Sequence, residues 1–126
     1  MIEAVRQELA PNGILRAGIN MSNPLLVTGK TEAGDPAGVS PDMARAIAER
    51  LGVEVRYVQF PSPGVLADAV GEDAYDIGLI AAEPARAESI TFTSAYVEIE
   101  ATYLVPAGSP LAVIDDVDRP GIRIAV

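Results

Sequence analysis

The 126-residue chain contains no cysteine, no histidine and no tryptophan. Without cysteine and histidine it lacks thiol nucleophiles, imidazole bases, disulfides and Cys/His metal sites. The absence of cysteine leaves the redox compartment open, because a cysteine-free chain tolerates either one. With only 4 Tyr and 2 Phe, the core must be built from Ala, Val, Ile and Leu, which is typical of a buried sheet covered by helices.

Basic residues are also scarce, since 9 Lys and Arg stand against 18 Asp and Glu, for a net charge of −9. An acidic surface repels phosphate backbones, so nucleic acid is not an expected partner. No run approaches the ~18–20 apolar residues that span a bilayer. The mixed, charged start at 1–7 has no secretory signal, so we expect that a signal was removed or was never part of this version.

Hydrophobic periodicity predicts alternating helices and strands over the first two thirds of the chain. The predicted elements are a helix at 2–10, a strand at 14–20, a helix at 41–51, a strand at 53–59, a helix at 64–70 and a strand at 76–81. Because helices alternate with strands, the order predicts a parallel sheet with right-handed crossovers. The apolar run 77–81 is typical of a central strand.

The second helix has a clear start and end in the sequence. Ser40 is interpreted as a plain helix cap, Pro41 suits the first helical position, and Asp42 favours the positive end of the helix dipole. Gly52 is the expected C-terminal stop. The preceding segment, 21–37, is rich in proline and glycine and is predicted to be irregular.

After Arg86 the pattern changes to short extended pieces. We expect extended segments at 90–92 and 97–105, one helical turn at 115–117, and the beginning of another strand at 122–126. The chain contains no internal repeat and no low-complexity tract.

Four loops are candidates for a binding site. In an open α/β sheet, ligands bind beyond the carboxyl ends of the strands. The rule selects the loop 20–23, the helix start near 38–40, the loop 61–62 and the loop 81–86.

Arg86 is the sharpest candidate within these loops. Its planar guanidinium matches a carboxylate with two parallel hydrogen bonds. The alternative is a solvated arginine, or an ion pair with Glu83 or Glu88. Asn20 and Asn23 carry amides that both donate and accept, and the alternative for them is ordinary turn chemistry.

Enzymatic groups are not apparent in the sequence. No nucleophile–base pair is visible among the plentiful acidic residues. Asp115, Asp116 and Asp118 resemble a calcium loop only loosely, because the required glycine and the later glutamate are missing. The sequence therefore predicts neither a catalytic site nor a metal site nor a cofactor.

An ordered set of short motifs runs through the chain from Leu15. The set comprises Leu15-Arg16-Ala17-Gly18, Gly38-Val39-Ser40-Pro41-Asp42, Ala48-Glu49-Arg50-Leu51-Gly52, Tyr75-Asp76-Ile77-Gly78, Pro84-Ala85-Arg86, Ile90-Thr91-Phe92-Thr93-Ser94-Ala95-Tyr96 and Tyr103-Leu104-Val105. In this order and spacing it resembles the family 3 extracellular solute-binding proteins of ABC importers. The resemblance implies an α/β fold, a parallel-stranded periplasmic binding protein type 2 lobe that is incomplete and carries the start of the second lobe.

The resemblance also implies a role for each loop residue. Arg86 takes the position of the arginine that binds the carboxylate of an amino acid, while Asn20 and Asn23 follow the first strand, whose loop helps to hold the solute. The small residues after the third strand contact the solute in the family, and here they are Ala81 and Ala82, followed by Glu83. Hydroxyl residues are usual at these three positions, and an aromatic is common at Asn23. These departures leave open a solute other than a standard α-amino acid.

The implied function is capture of a small polar solute, an amino acid or related carboxylate, by hinge closure and its delivery to an ABC importer in the periplasm. Residues 1–97 would form the first lobe, and 98–126 the hinge crossing with the start of the second lobe. The alternatives are an enzyme resembling the cyclohexadienyl dehydratases and a ligand-sensing module of a receptor. Because 101–105 and 122–126 are apolar segments with no sheet of their own, we also expect a homodimer through the 97–126 region.

Overall fold

The computed structural model describes residues 1–126, which divide into two compact units, Met1–Phe92 and Thr93–Val126. The first unit contains, in chain order, α1 (Ile2–Leu9), β1 (Ile14–Asn20), β2 (Gly29–Lys30), β3 (Pro36–Ala37), α2 (Val39–Leu51), β4 (Glu54–Phe60), α3 (Pro63–Asp68), β5 (Ile77–Leu79) and α4 (Pro84–Ala87). The second contains one 3₁₀ turn, Ile114–Asp116. No helix has the length and apolar character needed to cross a membrane.

The main sheet has three parallel strands in the order β4-β1-β5. β1 pairs with β4 along its whole length, from Ile14 opposite Glu54 to Asn20 opposite Phe60. On its other side, Ile19 lies opposite Leu79 of β5. The parallel α/β fold predicted from the alternation of helices and strands is therefore confirmed.

The prediction of a central strand over 77–81 is wrong. The strand is three residues long, Ile77–Leu79, and it lies at an edge of the three-stranded sheet, whereas β1 is central. An apolar run indicates burial but not the neighbours of a strand. The central strand is β1, and its residues Leu15, Ala17 and Ile19 are all fully buried.

The core lies between the sheet and α2. Ala44, Ala48 and Leu51 form the buried face of this helix, and Ala17 and Leu15 of β1 belong to the same buried clusters. The small alanine side chains bring the helix backbone close to the sheet, so a core without tryptophan still packs tightly.

The cap of α2 lies two residues before the predicted one. Its N-cap is Gly38, so the interpretation of Ser40 as the cap is wrong. Gly38 has φ +136°, and a Cβ there would lie 2.5 Å from the carbonyl oxygen of Leu26. That carbonyl accepts a 3.0 Å hydrogen bond from Ser40 N, which fixes the chain entering the helix. Any other residue at Gly38 would be strained and would clash.

The prediction that 21–37 is irregular is only partly right, because the segment contains a small antiparallel hairpin. β2 pairs with β3 through Gly29 opposite Ala37 and Lys30 opposite Pro36. The turn between them is closed by Thr31 N donating to the Asp35 carbonyl at 2.8 Å. Two-residue strands are too short for an alternating pattern to reveal.

Two glycines in register make room for an aromatic ring. Gly18 of β1 lies opposite Gly78 of β5, and a Cβ at either position would come within 3.2 Å of the Tyr75 ring. The ring packs edge to face on Phe60, with centroids 5.7 Å apart. Its hydroxyl donates to the Leu66 carbonyl at 2.8 Å, which ties the sheet to α3, and burial raises the pKa of Tyr75.

The unit Thr93–Val126 has little regular structure. In its 3₁₀ turn, the Asp116 carboxylate accepts hydrogen bonds from Ala112 N at 2.9 Å and Val113 N at 3.2 Å, and pairs with Arg119 at 2.8 Å. The strand predicted at 122–126 is wrong, because these residues pair with no other strand and all except Ile122 are exposed. An apolar strand pattern forms a strand only where a partner supplies the hydrogen bonds. The lobe boundary at 97/98 stays a prediction.

Candidate functional site

The carboxyl ends of the three parallel strands meet at one edge of the sheet, here called the carboxyl edge. The strands end at Asn20, Phe60 and Leu79. Because Asn20 lies opposite Phe60 and Ile19 opposite Leu79, the loops 20–23, 61–62 and 80–86 leave the sheet side by side. Sequence reasoning therefore selected loops that the register does bring to one edge.

Arg86 lies on the short helix α4, which follows the β5 loop. Its Nη1 donates to the Ala81 carbonyl at 2.9 Å, and the same nitrogen lies 3.3 Å from Glu83 Oε1. The first contact anchors the guanidinium beside the end of β5, and the second is the ion pair that the sequence left open as an alternative. The side chain of Arg86 is only 15% exposed.

The other donors of Arg86 are not used by the protein. Its hydrogen bond and ion pair both involve Nη1, so Nε and Nη2 donate to no protein group. No buried side-chain nitrogen or oxygen in the chain lacks a hydrogen-bond partner, so these two nitrogens must reach solvent. Nε and Nη2 form the side of a guanidinium that binds a carboxylate with two parallel bonds.

Asn20 and Asn23 are both half-buried and both organise their own turns. Asn20 Oδ1 accepts from Ser22 N at 3.0 Å and from Ser22 Oγ at 2.8 Å. Asn23 Oδ1 accepts from Leu25 N at 3.0 Å. The turn chemistry that the sequence offered as an alternative is therefore present, and it leaves the two Nδ2 groups as donors.

Ala81, Ala82 and Glu83 form the exposed connection from β5 to α4. Glu83 occupies the N-cap position of α4, but its side chain makes no capping hydrogen bond. Its side chain is 55% exposed, and Arg86 is its partner. The structure thus brings four of the predicted residues, Ala81, Ala82, Glu83 and Arg86, onto one short segment.

Sequence reasoning missed a second arginine–carboxylate group at the opposite end of β5. Arg16 Nη2 lies 2.8 Å from Asp76 Oδ1 and 2.7 Å from Asp73 Oδ1, and Arg16 N donates to Asp76 Oδ2 at 2.7 Å. Burial raises the pKa of Asp76, but the hydrogen bonds from Arg16 outweigh it, so that the pKa is lowered. The sequence signal that could have revealed this group is the pair of acidic residues, Asp73 and Asp76, just before β5, together with an arginine, Arg16, on the neighbouring strand β1.

A cavity of about 370 Å³ also lies at the amino end of the sheet. It is lined by α1 and by the segments that follow α1 and α2: Glu3, Arg6, Gln7, Ala10, Pro11, Gly13, Gly52 and Val53. The guanidinium at its rim is already paired, since Arg6 Nη2 lies 2.6 Å from Glu3 Oε2. The donor edge of Arg86 makes the carboxyl edge the better candidate.

Comparisons with known proteins agree with this architecture. The sequence pattern of the bacterial extracellular solute-binding proteins, family 3, matches residues 15–119. A comparison with curated proteins finds no match.

Three similar crystal structures illustrate the likeness. The arginine-bound form of domain 1 from TmArgBP is 27% identical with a TM-score of 0.60, and the match covers 71% of each chain. The arginine-bound, truncated ArgBP from T. maritima is 26% identical with a TM-score of 0.62, over 72% of this chain and 43% of that one. An ancestral cyclohexadienyl dehydratase is 25% identical with a TM-score of 0.61, over 71% of this chain.

The chain spans 37% of the length of that ancestral dehydratase. The family pattern, by contrast, covers most of the present chain, from the first strand to the segment after the 3₁₀ turn. The parallel sheet and the order of the motifs lead to the same assignment. The chain therefore belongs to the bacterial extracellular solute-binding proteins, family 3.

Proposed function

We propose that the chain binds a small polar solute through a carboxylate, and that Arg86 is the residue that holds this carboxylate. The observation that carries the proposal is the donor pair Nε and Nη2, which reaches solvent and has no partner in the protein. A guanidinium that is 15% exposed binds a carboxylate more strongly than a fully hydrated one, because the surrounding protein lowers the local dielectric.

The neighbouring residues support a solute at this edge. Asn20 and Asn23 keep their Nδ2 groups as hydrogen-bond donors, and Ala81 and Ala82 are small enough to leave the approach to Arg86 open. Two similar proteins are described as arginine-bound, and one of them is a single domain. Because a single domain of that similar protein was obtained with arginine bound, solute binding can be measured on the present chain by itself.

The test is the substitution Arg86→Gln, with binding measured by calorimetry against the standard amino acids. The loss of a hydrogen-bonded charge pair should weaken binding by about 1.5–3 kcal/mol. Arg56→Gln is the matched control, since Arg56 is exposed on β4 and forms no ion pair. Equal affinity of the wild-type chain and the Arg86→Gln variant would refute the proposal.

We further propose that the bound solute is delivered to an ABC importer from the periplasm and that no bond is made or broken. Family membership supports this role, in which two lobes close around the solute by a hinge. The protein loaded with its solute should stimulate ATP hydrolysis by a reconstituted importer. ATP hydrolysis that does not respond to the loaded protein would contradict this role.

The similarity to an ancestral cyclohexadienyl dehydratase favours one second candidate, an enzyme on the same fold. No histidine or cysteine is available in the chain for acid–base or nucleophilic work. Incubation with a carboxylated cyclohexadiene distinguishes the two functions. An enzyme would produce aromatic absorbance in the ultraviolet, whereas a solute-binding protein would leave the compound unchanged.

The segment 97–105 supports the homodimer that the sequence predicts. Its odd positions are all apolar, and its even positions include Glu98 and Glu100. None of its backbone groups makes an intramolecular hydrogen bond, and all nine residues are exposed. We propose that it pairs with the same segment of a second copy, because an unpaired strand pattern is a template for another chain.

Charge selects the register of this pairing. Antiparallel registers centred on residues 98, 99 or 100 place one glutamate opposite another, which is destabilising. The register centred on Ala101 avoids this repulsion, and Pro106, which has no N–H, ends the ladder. It places Val97 opposite Val105, Ile99 opposite Tyr103, Glu98 opposite Leu104 and Glu100 opposite Thr102.

The substitution Ala101→Pro tests the pairing, because it removes a central hydrogen-bond donor from both strands. Sedimentation should then show a shift from dimer to monomer, whereas Ala125→Pro, a control outside the segment, should leave the dimer intact. A concentration of about 100 μM is well above the dissociation constant of a stable dimer. A wild-type chain that sediments as a monomer at this concentration would refute the proposal.

A further inference from the structure

The chain contains three asparagines, and each is followed by a different kind of residue. Asn12 precedes a glycine, Asn20 a methionine and Asn23 a proline. The following residue matters because its backbone nitrogen is the nucleophile when an asparagine spontaneously loses its side-chain amide. Glycine has no Cβ to hinder this attack, whereas proline has no N–H that could be deprotonated. The sequence therefore singles out Asn12 as the reactive asparagine.

The structure leaves the side chain of Asn12 unengaged. Asn12 is exposed, and its amide makes no hydrogen bond to the protein. Asn20 Oδ1, by contrast, accepts two hydrogen bonds from Ser22, and Asn23 Oδ1 accepts one from Leu25 N. The nitrogen that would attack Asn20 is also held, because Met21 N donates to the Phe60 carbonyl at 2.9 Å.

Asn12 lies in the turn that joins α1 to β1. One hydrogen bond closes this turn, from Gly13 N to the Ala10 carbonyl at 3.0 Å, and residues 11–13 are all exposed. An exposed turn with a single hydrogen bond opens locally at little cost in free energy, which frees the nitrogen of Gly13. We infer that Asn12 is a site of spontaneous deamidation in the folded protein.

The reaction consumes one water and releases one ammonia, with no oxidation or reduction. The amide nitrogen of Gly13 loses its proton to a solvent base and attacks Cγ of Asn12. The bond from Cγ to Nδ2 then breaks, and Nδ2 takes up a proton and leaves as ammonia. Water opens the resulting cyclic imide at one of its two carbonyl carbons. Opening at Cγ gives aspartate, and opening at the backbone carbon gives isoaspartate.

The isoaspartate product changes the connection between α1 and the sheet. The main chain then runs through the former side chain of residue 12 and is longer by one carbon, so the bond between Gly13 N and the Ala10 carbonyl loses its geometry. The new carboxylate lies just beyond the C-terminal end of α1, where the helix dipole disfavours negative charge. No residue of α1 is buried, and its anchor is Ala10, which is 2% exposed. The modification should therefore loosen α1.

This turn lies outside residues 15–119, which match the family pattern, so the inference concerns this chain rather than the family. The experiment incubates the full chain in mildly alkaline buffer, with and without urea, and follows it by tryptic digestion and mass spectrometry. Trypsin places Asn12 in the peptide 7–16 and the other two asparagines in the peptide 17–30. Electron-transfer fragmentation distinguishes aspartate from isoaspartate. Gly13→Ala is the test variant, and its sample in urea gives a result whether or not the variant folds.

We expect Asn12 to convert about tenfold faster than Asn20 in the folded chain, because its successor is unhindered, while Asn23 remains unchanged. Conversion should be faster in alkaline than in neutral buffer, and Gly13→Ala should slow it with and without urea. If Asn12 converts in urea but not in the folded chain, the turn protects it and the inference is overturned. Conversion of Asn12 no faster than that of Asn20 would overturn it as well.

Hydrogen exchange tests the consequence for α1. Ala10 N donates to the Arg6 carbonyl at 2.8 Å, and this amide should exchange faster in the isoaspartate form than in the unmodified chain. Equal exchange in the two forms would show that α1 stays attached and would overturn the inferred loosening.

Discussion

Two arginines at opposite ends of β5 are used in different ways. At the amino end, each of the four nitrogens of Arg16 donates to the protein: its Nε, Nη1, Nη2 and backbone N reach Asp76 or Asp73 at 2.6–3.2 Å. Arg86 at the carboxyl end donates through Nη1 alone, to Ala81 O, and the same nitrogen forms the ion pair with Glu83. Both arginines belong to the same compact unit.

The difference separates a structural arginine from one that can bind a ligand. Asp76 also donates its backbone N to the Arg16 carbonyl at 2.9 Å, so the pair closes β5 onto β1. No nitrogen of Arg16 is without a partner in the protein. In Arg86 the protein satisfies the donor that faces Ala81 and leaves the opposite edge unpaired. The count of unused donors, rather than the presence of an ion pair, is what distinguishes the two sites.

The largest expected effect comes from breaking the structural pair. Asp76→Ala should lower the free energy of unfolding by about 3 kcal/mol, because it leaves Arg16 N and the Arg16 guanidinium without their main acceptor. Urea denaturation measures the change. Asp68→Ala, a control at an exposed aspartate of α3 without an ion pair, should shift stability by less than about 0.5 kcal/mol. If the two substitutions lowered the free energy of unfolding equally, Arg16 and Asp76 would not form a structural pair.

Exchanging the two arginines for glutamine tests the division of roles directly. Arg16→Gln should lower the melting temperature more than Arg86→Gln, because Arg16 makes four side-chain hydrogen bonds and Arg86 makes one. Arg86→Gln should instead produce the larger loss in solute affinity. Differential scanning calorimetry and binding titrations on the same samples measure both. If Arg16→Gln and Arg86→Gln lowered stability equally and also lowered solute affinity equally, the two arginines would not have separate roles.

Acid should weaken the structural pair. The pKa of Asp76 is lowered in the folded state, so its contribution to stability is complete above the unfolded-state pKa of about 4 and is lost as pH falls through the folded-state pKa. The stability difference between the wild type and Asp76→Asn should therefore narrow between pH 7 and strongly acidic conditions. A difference that stays constant over this range would show that the carboxylate charge does not stabilise the fold.

The smallest effect is expected for Asp73→Asn. The Asp73 carboxylate pairs with Arg16 at 2.7 Å, but its side chain is 91% exposed, and exposed pairs contribute little. The Asp73 carbonyl keeps its bond from Arg16 Nη1, and asparagine tolerates the φ of +54° at this position. Urea denaturation should show a change within about 0.5 kcal/mol. A loss as large as that of Asp76→Ala would mean that both carboxylates hold Arg16 equally.

Local patterns were enough to predict the elements that bury a continuous face. The first strand was predicted at 14–20 and is found at Ile14–Asn20, and the second helix was predicted at 41–51 and spans Val39–Leu51. In both segments the apolar residues recur with the period of the element they form, and proline or glycine residues mark the ends. The predicted loops also lie at one edge, because that follows from parallel strands alone.

Features that depend on partners distant in sequence could not be predicted. The Arg16–Asp76 pair joins residues 60 positions apart, and the hairpin of β2 and β3 is held by a turn rather than by apolar spacing. The sequence placed Asn20, Asn23 and Arg86 in segments that follow the carboxyl ends of β1 and β5. It could not show which of their polar atoms the protein itself would use, since that depends on the path of each turn.

The double pairing of β1 has a consequence for the timescale of local opening. Its residues 17–19 are bonded to β4 on one side and β5 on the other, so their amide protons can exchange with solvent only when the sheet itself separates. The amides of 97–105 have no intramolecular partner and would exchange at the rate of an unstructured peptide. Within minutes, hydrogen exchange would therefore separate the slowly exchanging amides of 17–19 from the rapidly exchanging amides of 97–105. Slower exchange at 97–105 would show directly that another strand has paired with this segment.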